Sequence, residues 1–447
     1  MVHYIHRDGV GDPGAPGSPS RARSAAAASV LALGLLLAGT AADAAPDPLT
    51  LAEAQRLALE RNADFRVAET QVDAALAQLK VAREFPNPTL GLSTSKISTD
   101  GTPEGTTLGN SLLNRSYDSI ASLSQLFLVG KRGLMRDAAT AGVHSAEFQR
   151  DDARRLLLQA VTQAYAAALA ALKEADVLTD SASKLRREAD IASYRFKVGD
   201  LSASDKGQLE IAADQDELNA DAERATAKTA VVTLEILLGE PGPTGATPLA
   251  DTLDQWVQAI PPDLGEEPVG SRPDIAAAES AVTQADTNVK LQQHQRIPDV
   301  TASVQYERNP PYQTNTVGVG LSLPLPLWDH FNGEILSAKA AREQTQAQLD
   351  KVRTQAAADV AAARVAFREA SERAMRYRTS LVPKSAEVVG SVSYAFEKGG
   401  AALIDLLEAE RNDNAIRVAA AQSQADTASA AVVLQAALGR LGGSDAK

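Results

Sequence analysis

The chain has 447 residues, of which 44% are hydrophobic but only 4% are aromatic, and its formal net charge is −13. An alanine-rich, charged chain with few aromatics favours long, closely packed helices over one large globular core, and its acidic balance argues against a nucleic-acid partner. The absence of cysteine excludes disulfides, thiol nucleophiles, cysteine-ligated zinc and a lipidated N-terminal cysteine.

Residues 1–44 are predicted to be an N-terminal extension followed by a signal peptide. Arg21 and Arg23 precede an apolar run at 25–39, and the triplet at 42–44, Ala-Asp-Ala, fits an A-x-A cleavage site. We therefore expect export. No later run of about 18 uninterrupted apolar residues is evident, so we expect no transmembrane helix.

The remaining chain contains an internal duplication. Pro88 and Pro298 are matched 210 positions apart, whereas Asp205 and Asp405 are matched 200 positions apart. The change of offset places about ten extra residues of the first repeat in the Gly/Ser/Asn-rich loop near 99–116. The predicted domains are a first repeat at 45–238, a Pro/Gly-rich linker at 239–270, a second repeat at 271–439 and a short tail at 440–447.

Each repeat is predicted to contain the same elements in the same order. They are a helix at 62–85 (272–296 in the second repeat), strands at 89–97 (299–307) and 118–128 (316–325), a long helix at 133–198 (333–398) and a last helix at 203–238 (403–438). The long helix would measure about 100 Å, and the last and first helices stacked end to end would nearly match it at roughly 90 Å. We expect Pro383 to kink the second long helix or open a hydrogen bond in it.

The strands of the second repeat alternate apolar with small or polar residues. This alternation over about nine residues is typical of a membrane-spanning barrel strand, but a soluble hairpin with one buried face would show it too. In the first repeat the alternation is broken, with Leu90, Leu92, Ile120 and Leu123 as its apolar positions. The predicted lipid-facing residues are Val300, Val304, Val317, Val319, Leu321 and Leu323.

Apolar residues of the long helices repeat every 3.5 positions, which predicts supercoiled neighbours. The seam of the first repeat runs through Leu178, Ala182, Leu185, Ala189, Ala192 and Phe196, and that of the second through positions 356, 360, 363, 367, 370, 374, 377 and 381. Four strands per chain cannot close a barrel whose edges would otherwise face lipid. Closure therefore requires eight strands from two chains or twelve from three, and only twelve could leave a lumen.

With these features the chain resembles the TolC-like outer-membrane efflux family over about residues 50–440. The segments that carry the resemblance are 126–133, 323–329 and the matched motifs Tyr-x-Phe-x-Val-Gly at 194–199 and Tyr-x-Phe-x-x-Gly at 394–399. The first two segments are most similar to the heavy-metal, cobalt–zinc–cadmium resistance branch. The family implies a mainly α fold with a small membrane β-barrel contribution. It further implies a homotrimer with a 12-stranded barrel and an α-helical tunnel, located in the outer membrane and extending into the periplasm.

The resemblance also implies partners, namely a periplasmic adaptor, an inner-membrane pump of the RND type and outer-membrane lipid. The predicted adaptor-docking residues at the helical hairpin tips are Val198, Gly199, Leu201, Ser202 and Gly399. Asp205, Asp405 and Glu408 are gate candidates, as carboxylate rings attract cations; the alternative for the two aspartates is a helix N-terminal role. Phe127 and Trp328 are predicted to lie at the membrane interface.

No enzyme, cofactor or metal site is expected. His144, His294 and His330 lie on separate segments without metal-ligand spacing, and no P-loop, GxSxG or dinucleotide motif is convincing. The predicted function is export of heavy-metal cations through an outer-membrane duct. The alternatives are a duct for drugs or secreted polypeptides and, in another class, a soluble periplasmic coiled-coil scaffold or adaptor.

Overall fold

The computed structural model describes residues 48–97, 116–261, 272–309 and 314–441. The extension and signal peptide at 1–44 lie outside the described residues, as do nearly all of the 99–116 loop and most of the 440–447 tail. Every described residue belongs to one unit, Pro48–Lys447.

The first repeat contains one helix more than the sequence predicted. A helix precedes Asn62 because Thr50 caps it by accepting a hydrogen bond from Glu53 N (3.2 Å). The Asn62 side chain then caps the next helix through Asp64 N and Phe65 N. The elements are α1 Leu51–Arg61, α2 Ala63–Arg83, β1 Thr89–Ile97, β2 Ser116–Phe127, α3 Lys131–Lys197 and α4 Ala203–Leu237.

The linker and second repeat follow the same order, with an interruption in the long helix. Their elements are α5 Leu253–Ala259, α6 Pro273–His294, β3 Val300–Asn309, β4 Thr314–Ser322, α7 Asn332–Arg376, a π-helical turn Tyr377–Leu381, α8 Val382–Glu397 and α9 Leu403–Ala437. The π turn lies directly before Pro383, as expected of a proline that cannot donate to the helix. The strand β4 ends three residues earlier than predicted, because Pro324 and Pro326 cannot extend a ladder.

The predicted 3.5-residue seams are buried over most of their length, but Phe196 and Leu381 are exposed, and the π turn shifts the second seam. Ala356, Val360, Ala363, Phe367, Ala370 and Ala374 are all buried along α7. A regular seam would next bury positions 377, 381 and 384, but Ser385 is the buried residue of α8. The wider π turn thus acts as a one-residue insertion that moves the packed face by about a third of a turn.

The helix α3 is the hub of the helical region, packing against α1, α2, α4, α6 and α9. Its predicted seam residues Ala182, Leu185, Ala189 and Ala192 are buried. A window of α3 is apolar enough by length and composition to cross a membrane, which the sequence analysis did not recognise. Half of that window is buried inside the protein, so its apolar character serves helix packing.

The short helices of the first repeat meet end to end, as the length arithmetic predicted. Asn62 Nδ2, between α1 and α2, donates to Leu237 O at the end of α4 (3.0 Å). Gly239 (φ 76°) passes so close that a Cβ there would lie 2.6 Å from Arg61 O. Glycine is therefore required at this joint.

Buried polar groups attach the linker to the helices near this joint. Leu49 and Leu249 form a parallel bridge, and the hydroxyl of the fully buried Tyr165 lies 2.8 Å from Leu49 O and from Asp251 Oδ2. On α4, the buried carboxylate of Glu235 accepts hydrogen bonds from the 244–247 turn, at Thr244 N (2.6 Å), Gly245 N (2.8 Å), Thr247 N (3.3 Å) and Thr247 Oγ1 (2.6 Å). Burial tends to raise the pKa of Glu235, but these hydrogen bonds outweigh it and lower the pKa.

We expect Glu235→Gln to weaken the attachment of the linker and to destabilise the protein by about 1–3 kcal/mol, because an amide cannot accept this set of donors. Since the folded pKa of Glu235 is depressed, its contribution is present at neutral pH and is lost as the pH falls through that folded pKa. Thermal unfolding at pH 7 and at acidic pH measures both effects. Asp221→Asn, at an exposed ion pair on the same helix, is the control. Equal midpoints for the two variants would contradict the prediction.

Candidate functional site

The four strands form one antiparallel sheet in the order β1-β2-β3-β4. The pairing register aligns Leu90, Leu123, Val304 and Val319 in one row across all four strands. The next row contains Leu92, Ala121, Tyr306 and Val317. One face of the sheet is therefore apolar across both repeats, even though the sequence of the first repeat alternates poorly.

The opposite face of the sheet is polar and contains glycine. One of its rows contains Thr89, Ser124, Ser303 and Gly320, and the next contains Gly91, Ser122, Gln305 and Gly318. A Cβ at Gly320 would lie 2.8 Å from Ser303 Oγ, so glycine leaves room for polar side chains on this face. The sheet thus separates an apolar surface from a polar one, as a barrel wall between lipid and water does.

The apolar face lies open in the single chain. Val319 is 85% exposed, and Leu92, Val317 and Leu321 are also strongly exposed. A contiguous exposed apolar surface of this kind marks a lipid or protein interface. Among the described residues, β1 and β4 pair with a strand on one side only, so the sheet also has two open edges.

One of the predicted lipid-facing residues lies outside the strands. Leu323 lies beyond the end of β4, because the following prolines stop the ladder. Ile120 pairs with Ser93 and Glu307 and so lies on the polar face, opposite to Leu123, because residues three apart in a strand point to different sides. The other predicted lipid-facing residues, Val300, Val304, Val317, Val319 and Leu321, lie in β3 and β4 at positions of the apolar face.

The interface candidates lie where the sheet meets the helices. Phe127 is the last residue of β2, pairs with Val300 and is half exposed. Trp328 lies between β4 and α7 and is 90% exposed. At this junction Lys131 Nζ forms a salt bridge with Asp299 Oδ2 (2.8 Å), and Val129 N donates to the other oxygen of that carboxylate (3.0 Å).

Both helical hairpin tips have the same backbone geometry. Gly199 (φ 81°) and Gly399 (φ 75°) end their helices in the left-handed conformation. The next residues close the turn, with Asp200 N donating to Arg195 O and Gly400 N to Ala395 O. The tip glycines thus have a clear structural role, whatever docks there.

The predicted docking residues differ in their surroundings. Val198 is 62% exposed, and Gly199, Ser202 and Gly399 are also exposed. Leu201 is partly buried against the core between the two hairpins, which contains Leu209, Leu403 and Leu407. Leu201 therefore stabilises the tip itself. Tyr194 and Tyr394, which are not among the predicted docking residues, are both strongly exposed one turn before the tip glycines.

The gate candidates lie at the start of the returning helices. Asp405 Oδ2 accepts a hydrogen bond from Ala402 N (3.1 Å), so Asp405 has the N-terminal role that was its alternative. At the other tip Ser202 Oγ caps Asp205 N (3.0 Å). Glu408 is exposed one turn further along α9. Nearby cations pair within the chain, Arg195 with Asp200 and Lys206 with Glu210.

A polar cluster lies between the hairpins and was not predicted from the sequence. Asn414 donates to Ser181 (2.6 Å), which contacts Asp216 on α4, and Ser385 donates to the buried Asp413 (2.6 Å). Burial raises the pKa of Glu410 beside this cluster; the charge of Lys184 opposes this rise, and those of Asp413 and Asp216 add to it. No group of three or more His, Cys, Asp or Glu suited to a metal ion occurs in the described part of the chain.

Comparison with known proteins identifies the family. The profile of the outer membrane efflux protein family matches residues 55–240 and 266–440. The chain is 24% identical over 396 residues to the cobalt-zinc-cadmium resistance protein CzcC of Cupriavidus metallidurans, covering 89% of this chain and 91% of that protein. It is 23% identical over 392 residues to the pyoverdine export outer membrane protein OpmQ of Pseudomonas aeruginosa, covering 84% and 80%.

Solved structures show the same fold. The CmeC outer membrane channel of Campylobacter jejuni aligns with a TM-score of 0.71 at 18% identity, covering 87% of this chain and 85% of that chain. Family members are channels that work with adaptor and inner-membrane pump components in tripartite efflux systems. The chain therefore belongs to the outer membrane efflux protein family, and it is a channel component, not an enzyme, that is located in the outer membrane and extends into the periplasm.

Proposed function

We propose that the chain forms a homotrimeric duct that exports heavy-metal cations in a tripartite system with a periplasmic adaptor and an RND-type pump. The observation that carries the substrate assignment is the similarity to a cobalt-zinc-cadmium resistance protein over 89% of the chain. The acidic character of the chain and the carboxylates Asp205, Asp405 and Glu408 near the tips favour a cationic substrate. The second candidate is an organic substrate, because a pyoverdine exporter also matches most of the chain.

Deleting the chain's gene from its host tests the substrate. We expect the deletion strain to become sensitive to Co²⁺, Zn²⁺ and Cd²⁺, with tolerance restored by a plasmid copy, while its tolerance of organic dyes and antibiotics stays unchanged. Growth over a concentration series of each compound is the measurement. Sensitivity to the organic compounds alone would instead favour the second candidate.

The trimer is supported by the sheet. Three copies of four strands give twelve, which remove every open edge and leave room for a lumen. The apolar rows would then face outer-membrane lipid and the polar, glycine-containing rows the lumen. Phe127 and Trp328, at the helical end of the sheet, would lie at the periplasmic membrane interface.

We expect Val319→Arg or Leu321→Arg to impair insertion and assembly, because a cation on the lipid face costs about 2–4 kcal/mol near the bilayer midplane. Thr301→Arg and Ser303→Arg, on the opposite face of the neighbouring strand, are the matched controls and should be tolerated better. The oligomer band on unheated gels of outer-membrane fractions reports assembly. Equal behaviour of the two sets would refute the proposed lipid-facing side.

The hairpin tips are proposed to dock the adaptor, and Val198 offers the cleanest test. Leu201 contributes to the core, and Gly399 needs its positive φ, so substitutions there would also disturb folding. We expect Val198→Arg to abolish export while leaving the oligomer band intact, because it puts a bulky charge on an exposed contact surface. Val198→Thr, which keeps the side-chain shape, should retain export. Full resistance of the Val198→Arg strain would remove Val198 from the docking surface.

The carboxylate of Asp405 is proposed to form part of a cation-selective ring in the trimer. We expect Asp405→Asn to reduce cation selectivity in single-channel recordings, since it removes the charge but leaves an oxygen that can still accept the Ala402 N–H. Asp221→Asn, well away from the tip, is the control. An unchanged ion selectivity would leave Asp405 with the capping role alone.

A further inference from the structure

The junction between the sheet and the helices has an exposed apolar surface beyond the two interface candidates. Leu325 and Leu327 lie in the segment after β4, and Phe85 lies in the segment before β1. All three are about two-thirds exposed. This surface is continuous along the chain with the apolar strands, at the end from which the helices begin.

Two arginines of this junction have no acidic partner among the described residues. The Arg132 guanidinium lies over the Phe85 ring, with Cζ 3.5 Å from its centroid, and donates only to the carbonyl of Arg83 (2.7 Å). Its Nε is buried and has no hydrogen-bond acceptor. Arg296 donates to His330 O (3.0 Å) and Asn332 Oδ1 (2.7 Å), which are neutral groups of the second repeat.

Two of the nearby carboxylates are already engaged. Asp299 binds Lys131 and Val129 N, and Asp329 accepts from Phe331 N (2.8 Å). Arg56, Arg186 and Arg272, in contrast, each bind two carboxylates. Arg132 also lies in the first turn of α3, which contains no acidic residue, so the helix dipole opposes its charge.

We propose that Arg132 and Arg296 bind the phosphate of phospholipid headgroups in the periplasmic leaflet of the outer membrane. The acyl chains of a phospholipid would contact Leu325, Leu327 and Trp328. Its phosphate would lie at the depth where the apolar surface ends, next to the guanidinium groups. Arg296, Lys131 and these three apolar residues line one surface cavity of about 350 Å³, together with Asp329 and with Asp299, which pairs with Lys131. Arg132 is not part of this lining, so the cavity joins the apolar residues to Arg296 alone. Guanidinium suits this role because its fork of donors matches two phosphate oxygens.

Phosphate at this level would supply the counter-ions that these two arginines lack among the described residues. It would also fix the depth of the barrel in the bilayer without a lipidated cysteine, which the chain does not contain. The inference depends on insertion of the sheet in the outer membrane and not on which substrate is exported. Its failure is therefore distinguishable from failure of the metal-export proposal.

Native mass spectrometry of the full-length oligomer with added phosphatidylglycerol tests this site. We expect the wild-type protein to retain several lipids, and Arg132→Gln with Arg296→Gln to weaken retention by about fivefold for each arginine removed. Arg132→Lys with Arg296→Lys should restore part of the binding, because the charge returns without the planar fork.

Arg224→Gln with Arg353→Gln provides the matched control, since it removes two arginines from ion pairs on the periplasmic helices. This control should bind lipid like the wild type. Equal lipid retention by the Arg132/Arg296 variant and the control would overturn the proposal. So would displacement of the lipid by millimolar inorganic phosphate, which would indicate a general anion site. The oligomer band of each variant verifies that it has assembled.

Discussion

Backbone polar groups within the hydrocarbon layer must all be hydrogen-bonded, and the rest of this structure depends on that constraint. In the four-stranded sheet the inner strands β2 and β3 pair on both sides, whereas one edge of β1 and one of β4 are open among the described residues. Only other chains can close those edges. Each strand pair is followed within ten residues by a long helix, so closing the barrel would also arrange α3 and α7 around the same axis. The barrel thus determines where the helical walls begin.

The helices must then keep their packed faces aligned over about 100 Å, which the two repeats achieve differently. The first repeat uses one uninterrupted helix of 67 residues. The second contains a π turn that inserts one residue, and the buried seam resumes at Ser385 instead of position 384. The rotated face brings Ser385 onto Asp413 of α9. The two hairpins therefore meet through different contacts, although their tips have the same backbone turn.

Much of this fold could be predicted because periodicity reports burial directly. Most seam positions of α3 and all those of α7 are buried as predicted, although Phe196 at the end of α3 is exposed, and the strand bounds agree within three residues. Pairing register was not predictable in the first repeat. Leu90 and Leu123 belong to one apolar row, and only the cross-strand partners reveal this. The helix α1 was missed because the repeat match began at Asn62, the residue that joins two helices.

The candidate sites were less predictable, because exposure and hydrogen bonding at the tips depend on contacts between distant segments. Leu201 looked like a surface residue of a turn, yet it packs against a core that includes α9. In the polar cluster, Ser181 and Asn414 are more than 200 positions apart, whereas Ser385 and Asp413 are 28 apart. No regular spacing in the sequence indicates such a cluster. The ion pairing of cations was equally hard to predict. The sequence places Arg132 in a charged segment but does not show that its neighbours leave it unpaired.

The two tip aspartates occupy equivalent positions but are not equivalent chemically. At the first tip Ser202 provides the cap, and the Asp205 carboxylate has no hydrogen-bond partner among the described residues. At the second tip the cap position is Ala402, which has no side-chain acceptor, so the Asp405 carboxylate itself turns back to bind the Ala402 N–H. That bond fixes one oxygen of Asp405 close to the start of α9. A serine-to-alanine difference at the cap therefore determines which tip holds its negative charge in a defined place and which lets it move.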